Sequence, residues 1–328
     1  MRSLSFSLAI GVALAGGAVS SADAQDAGNY PTKPIRLIVA ASAGGGADTV
    51  GRIAAEGLSR ELGQRVVVEN IPGVGSVAGL TALAQAAPDG YTIGTSNIAA
   101  IGINQHLMEL PYEPKEDIIA VGMAMQAPRA LSVRADLPVK SVEELIQYMK
   151  EHPGELNYGS SGVGSQSHMG MELFMSLTGT KAVQVPYNSS AEVGAAMAAG
   201  EVDVTIDNAS AHMPMVDAGT VRFIATGCSR VDDVPQLKGL PPIQDTVPDM
   251  MCTFTWIGIF APAGVPDPIV RKLNAALNAY LTSPEGIERT KTAGWDPDPM
   301  SPEELRDIWF KEADIWGKVI KDANIKAQ

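Results

Sequence analysis

The sequence is poor in the residues that carry redox and metal chemistry. It has two cysteines, Cys228 and Cys252, and four histidines in 328 residues. Two thiols are too few for a metal site or a cysteine redox motif, and no histidines stand in H-E-x-x-H or similar spacing, so neither a metal nor a cofactor is expected. Aromatic residues make up only 5% of the chain, which leaves aliphatic, alanine and methionine side chains to fill the core. Cations are also short, 24 Lys and Arg against 37 Asp and Glu, a formal net charge of -13. That balance argues against nucleic acid and anionic membrane surfaces as partners. After residue 24 no stretch approaches the ~20 apolar residues of a membrane-spanning helix. With 45% hydrophobic and 19% charged residues the chain can bury a sizeable core, and its length suits two modest domains.

The beginning of the chain reads as an export signal. Arg2 precedes an apolar and small-residue run over residues 4–19, and Ala22-Asp23-Ala24 is an A-x-A cleavage signal. Residues 1–24 are therefore expected to be a cleaved signal peptide and the mature protein to be soluble and periplasmic. Cleavage removes one cation, Arg2, and one anion, Asp23, and leaves the net charge unchanged. In an oxidising compartment an even pair of cysteines suggests one disulfide, Cys228 to Cys252; two buried free thiols are the alternative.

A repeated strand-helix rhythm follows. PIRLIVA, residues 34–40, is a β-branched run, after which Val50, Ile53, Ala54, Leu58 and Leu62 recur at helical spacing until Gly63. RVVVEN is a second strand, residues 76–87 a second helix, Pro88-Asp89-Gly90 a turn and YTIGT a third strand. The rhythm restarts after residue 126, with strands at ALSVR, ELNYG, AVQVPY, VDVTID and VRFIATG and helices at 169–177 and 190–199. Ser141 to Glu144 and Ser301 to Glu304 have capping-box spacing. A Pro-rich irregular stretch, 235–248, separates these from the strand TWIGIFAP and the helix DPIVRKLNAALNAYL. In the last helix Leu305, Ile308, Trp309, Trp316, Val319 and Ile320 form an apolar, core-packing stripe. Such alternation predicts an α/β fold with a mainly parallel sheet covered on both faces. Two successive units without a hydrolytic motif predict a two-lobed binding protein whose ligand lies where strand-to-helix loops meet.

Two loops are the strongest candidates for that site. In ASAGGGADTV, Gly44, Gly45 and Gly46 allow close backbone approach and leave amides free at a helix N-terminus, a setting for a carboxylate or phosphate. Ser42 adds a hydroxyl, Ala47 adds little bulk, and Asp48 sits near the helix start as a cap or as an acceptor for a bound water. A dinucleotide fingerprint fails, since position 49 is Thr49 and the Gly73-Val74-Gly75 stretch has Ala78 in its sixth position. In YGSSGVGSQSHMG, Ser160, Ser161, Gly164 and Ser165 make a second anion cradle, with His168 at the following helix. Val163 breaks the G-x-S-x-G pattern, yet an exported hydrolase using Ser161 or Ser165 with His168 remains the alternative from another class. Thr95, Ser96 and Asn97, then Tyr187 and Asn188, then Asp207 and Asn208 would add polar groups at strand ends, or serve as ordinary turns and caps. Arg129 is a candidate for direct carboxylate contact, against the alternative of an exposed surface arginine near the domain crossover.

These motifs, in order, resemble the Bug (Bordetella uptake gene) solute receptors, the extracytoplasmic binding proteins of tripartite tricarboxylate transporters. The resemblance rests on Gly45-Gly46-Ala47-Asp48, Asn70-Ile71-Pro72-Gly73-Val74-Gly75 and Ala87-Pro88-Asp89-Gly90-Tyr91-Thr92. It continues through YGSSGVGSQSH, VPYNSSAE, AAGEVDVTIDN and WIGIFAPAGVPDPIVRKLN, covering nearly the whole mature chain. It implies a type II periplasmic-binding-protein fold with a two-segment hinge, residues 25–126 and 254–328 forming one lobe and 127–253 the other. It also implies no catalysis and a small carboxylate ligand: a di- or tricarboxylate, an acidic amino acid or an aromatic acid of the phthalate type. The resemblance places one ligand carboxylate on the loop at 42–48, partly through ordered waters, and adds the loop at 160–168 from the other lobe. The expected partners are integral-membrane permease subunits, with a sensor kinase as the alternative, and the expected state is a monomer. The chain departs from the family at Ser42-Ala43-Gly44, where a proline usually precedes Gly-Gly, and at Ser189, where glycine is common. An acidic receptor can hold an anion in this way because amides and hydroxyls hydrogen-bonded to a charged group contribute roughly 1.5–3 kcal/mol each.

Overall fold

A computed structural model describes residues 28–228, 231, 234–322 and 325; the expected signal peptide lies outside them. The chain opens with β1 (Ile35–Val39), α1 (Gly46–Leu62), β2 (Val66–Asn70), α2 (Val77–Ala84) and β3 (Thr92–Ser96). Strand β1 lies between β2 and β3, parallel to both. Ile35, Leu37, Ile38 and Val39 are buried, because a strand between two neighbours has helices on both faces. Helix α1 ends at Gly63, whose φ of 65° lies in the left-handed region.

Next come α3 (Pro114–Asp117), β4 (Ile118–Arg134), α4 (Val142–Glu151), β5 (Asn157–Ser160), α5 (Gln166–Thr178) and β6 (Val183–Pro186). They lead to α6 (Ser190–Ala199), β7 (Val204–Asn208), α7 (Ala209–Asp217) and β8 (Val221–Thr226). The chain returns through β9 (Phe254–Pro262), α8 (Asp267–Leu281), α9 (Pro284–Thr292), β10 (Asp296–Pro297) and α10 (Pro302–Asp322).

The strand order is β2-β1-β3-β9-β4-β7-β5-β6, with β8 and β10 also on β4. Both outer wings are parallel, β5 pairing with β6 and β7 as β1 does with its neighbours. The antiparallel pairs come from the long strands that join the wings. Residues 118–128 of β4 pair with β9, whereas Arg129 onward pairs with β7 and β8. One strand thus serves both wings, and the chain passes between them a second time where Phe254 lies opposite Pro128.

Residues 118–128 show no alternation in sequence because both faces of the strand are buried. Helices α7 and α9 also lack a sequence counterpart: Pro214 lies inside α7, and α9 is short and polar. The capping box at Ser301 forms reciprocally, its Oγ accepting from Glu304 N at 3.2 Å and its N–H donating to Glu304 Oε2 at 2.8 Å. At Ser141 the first half forms, but Glu144 Oε2 accepts from Lys140 N instead. The apolar stripe of α10 packs inward, Trp309 Nε1 donating to Ile101 O at 3.0 Å and its ring meeting Phe260 edge-on. Cys228 and Cys252 are joined by a disulfide, with Cα atoms 4.4 Å apart, at the two ends of the excursion between β8 and β9.

Candidate functional site

The loops that leave the carboxyl ends of the parallel strands converge on a cavity of about 840 Å³ between the wings. From the first wing, Ser42, Gly44, Gly45, Gly46 and Ala47 line it. Gly44 has φ 85°, a conformation that favours glycine, and Gly45 caps α1 in an extended conformation with no side chain bonded across the helix start. Asp48 does not line the cavity. It is 4% exposed, its Oδ2 accepting from Gly44 N and Arg52 Nε at 2.9 Å and its Oδ1 from Asn70 Nδ2 at 2.9 Å. Burial acts to raise its pKa, but the hydrogen bonds from Arg52, Gly44 and Asn70 outweigh it and hold the carboxyl below its ordinary range. Asp48 is a clamp on the glycine loop, so the amide of Gly44 points to it rather than to a ligand.

A second glycine loop of this wing also reaches the cavity, through Pro72, Gly73, Gly75 and Ser76. In the sequence this stretch fails as a dinucleotide motif and stands among the family motifs, without pointing to a ligand loop. Its signal was a G-x-G before a helix, and Ser76, at φ 64°, is the non-glycine residue with positive φ among the described residues. Asn104 Nδ2 pins the loop by donating to Gly75 O at 2.7 Å. Of the group expected after the third strand, Asn97 lines the cavity, while Thr95 and Ser96 are the buried last residues of β3 and do not.

From the second wing, Ser161 and Ser165 line the cavity together with Gln166 and Ser167, which sequence reading passed over. Ser160 is fully buried, its Oγ accepting from Gln184 Nε2 at 2.8 Å, and it does not line the cavity. Gly164 and His168 also stand back: Gly164 N donates to His168 Nδ1 at 3.0 Å, and the imidazole, 5% exposed, lies 3.9 Å by Nε2 from Glu172 Oε1. Ser165 Oγ accepts from the backbone N–H of His168 as the cap of α5, and Ser161 Oγ is 3.0 Å from Ser167 Oγ. Among the described residues no serine hydroxyl of this loop is bonded to the His168 ring, which the hydrolase alternative requires.

Tyr187 points away, its hydroxyl donating to Glu201 Oε2 at 3.3 Å, while Asn188, Asp207 and Asn208 line the cavity. Ser190 Oγ donates to Asp207 Oδ1 at 2.9 Å, and Asn208 Oδ1 caps α7 through Ser210 N. The N-termini of α1, α5, α6 and α7 all open at this cavity, at Gly45, Ser165, Ser189 and Asn208. Each contributes a positive dipole end and N–H groups, which favour an anion without any lysine in the lining.

Arg129 departs from the surface alternative. It lines the cavity at 2% exposure, with Nη2 donating to Ile206 O and Nε buried without a partner. Burial lowers its pKa, opposed by Asp207 and Glu312. Glu312, half-buried on α10 and accepting from Trp256 Nε1 at 3.1 Å, is pushed up to about 7 by desolvation. The wings approach each other closely at two places. A Cβ at Gly164 would lie 2.7 Å from Leu107 Cδ1, and one at Gly294 3.5 Å from Ser210 Cβ.

The burial of His168 has a consequence for stability. Its pKa is held below the ordinary 6.5 by burial, against the pull of Glu172, so the unfolded chain binds the extra proton more readily. Its contribution is full above about pH 6.5 and is lost as the pH falls through the lower folded value. Glu312 acts oppositely: its folded pKa lies above the ordinary 4.5, so its contribution fades as the pH rises from 4.5 towards 7. Urea unfolding from pH 7.5 to 5 should therefore show a steeper acid-side loss for the native chain than for His168→Asn, whose Oδ1 can replace Nδ1 as acceptor. Equal slopes would refute the buried neutral imidazole.

A family model described as "Tripartite tricarboxylate transporter family receptor" matches residues 50–325. A UPF0065 protein of Bordetella pertussis is 34% identical over 312 residues, covering 94% of this chain and 95% of its own. The structure of R. palustris Rpa4515 with adipate is 35% identical, with a TM-score of 0.77 over 90% of this chain and 99% of that one. MatC from Rhodopseudomonas palustris with bound malate is 29% identical, with a TM-score of 0.75 over 89% and 100%.

Proposed function

The chain belongs to the tripartite tricarboxylate transporter receptor family, and on that premise we propose that it captures a small carboxylate between its two wings and hands it to integral-membrane permease subunits. In this reading residues 1–24 direct export to the periplasm, residues 25–126 and 254–328 form one lobe, and 127–253 form the other. The protein acts as a monomer and performs no chemistry on its ligand. The observation that carries the proposal is the convergence of four helix N-termini, with the hydroxyls of Ser42, Ser161 and Ser165, on one cavity. Oriented amides and dipole ends attract a carboxylate at close range, where the overall negative charge acts only weakly through solvent. The adipate and malate bound to the two related proteins support the same class of ligand.

The test is a thermal-shift screen of the mature protein over mono-, di- and tricarboxylates and aromatic acids. A ligand at 100 times its Kd adds about 2.7 kcal/mol to stability, a shift of several degrees for a protein of this size. If no carboxylate moves the melting temperature at millimolar concentration, the receptor reading fails.

A further inference from the structure

Arg129 and Asp207 are the charged residues among those that line the cavity. They come from neighbouring strands, Arg129 paired with Asn208 and Ala130 with Asp207. Both are nearly inaccessible, 2% and 3% exposed. Each keeps one buried polar atom without a hydrogen-bond partner, the donor Nε of Arg129 and the acceptor Oδ2 of Asp207. These two atoms therefore do not satisfy each other. The remaining bonds hold both side chains in place: Arg129 Nη2 donates to Ile206 O, and Asp207 Oδ1 accepts from Ser190 Oγ and from its neighbour's amide, Asn208 N.

A buried, unmet group on a charged side chain is costly, and one donor with one acceptor in the same cavity calls for a ligand that supplies both counterparts. A plain dicarboxylate can answer Arg129 but offers nothing to Asp207 Oδ2, and brings a second negative charge towards it. We propose that Arg129 and Asp207 form a charged subsite that selects a zwitterion, an amino acid whose ammonium group donates to Asp207 Oδ2 and whose carboxylate accepts from Arg129. The inference rests on the receptor reading and narrows its ligand class. The hydroxyls and helix N-termini of both wings remain to hold any further carboxylate on the amino acid's side chain, and Asp207 becomes the residue that separates amino acids from their deaminated counterparts.

Matched pairs test this by calorimetry on the mature chain: L-glutamate against glutarate, L-aspartate against succinate, L-leucine against 4-methylpentanoate. In at least one pair the amino acid should bind tighter by about ten-fold or more, as expected for a hydrogen bond between charged partners. Asp207→Asn should bring that pair to near-equal affinity, and Arg129→Gln should weaken both members. The ratio is taken within one preparation, so a partly misfolded variant does not distort it, and Asp207→Glu, which keeps the charge, should retain the preference. The subsite is refuted if deaminated acids bind as well as or better than their amino acids, if only another carboxylate such as phthalate binds, or if Asp207→Asn leaves the ratio intact. Those results leave the receptor reading standing; binding by no carboxylate of any kind removes both.

Discussion

Gly45→Val is expected to weaken binding of the carboxylate ligand by roughly 30-fold or more, about 2 kcal/mol, while costing the fold no more than the ~1 kcal/mol of a poorer helix N-cap. The reason lies in how little surrounds Gly45. A Cβ there would meet only Ser42 O, at 3.8 Å, and the backbone, at φ -83° and ψ 175°, is open to any residue. The new side chain therefore costs the protein little and enters the space beside the free amides of α1. A ligand carboxylate held there then loses hydrogen bonds, and the cation in the lining, Arg129, stands on the part of β4 that belongs to the other wing. The neighbouring glycines make poorer probes: Gly44 has φ 85°, and a Cβ at Gly46 would press on Trp295 at 3.2 Å. Calorimetric titration and a thermal melt of the same preparation decide it. A dissociation constant within three-fold of the native one would show that the first cradle does not hold the ligand.

Removing the disulfide should cost about 3 kcal/mol of stability. Cys228 and Cys252 are 24 residues apart, and closing a loop of that length restricts the unfolded chain by about this amount in the chain-entropy account. The bond also lies where the chain passes between wings. Gly227 N donates to Arg129 O at 2.7 Å, and Thr253 N donates to Gly227 O at 3.3 Å, so the cysteines flank the residues that tie β8, β4 and β9 together. Urea unfolding of the double variant Cys228→Ala/Cys252→Ala against the oxidised native chain gives the difference. Titration of the unfolded, unreduced native protein should find no free thiol; two thiols, or equal stabilities, would refute the staple.

What the sequence determined by itself was local. Strand-helix alternation, the stop at Gly63, the cap at Ser301 and the position of both glycine and serine loops depend on residues a few places apart, and all are readable from spacing. The scarcity of cations likewise gave amides and hydroxyls the larger share in holding an anion, with Arg129 as the cationic candidate. Which of those groups face the cavity was decided by the tertiary structure. Asp48 turns away because Asn70, on β2, takes its second oxygen. His168 faces inward because Gly164 N seeks an acceptor inside the fold. The loop around Gly75 joins the site because Asn104 pins it. Arg129 becomes a buried lining residue because its strand runs unbroken from one wing into the other, a continuity that residues 118–128, apolar on both faces, cannot announce by any period. The physical reason is one of range: periodicity and capping act within a turn or two of the chain, whereas the direction of a loop side chain depends on partners that only the packed sheet brings beside it.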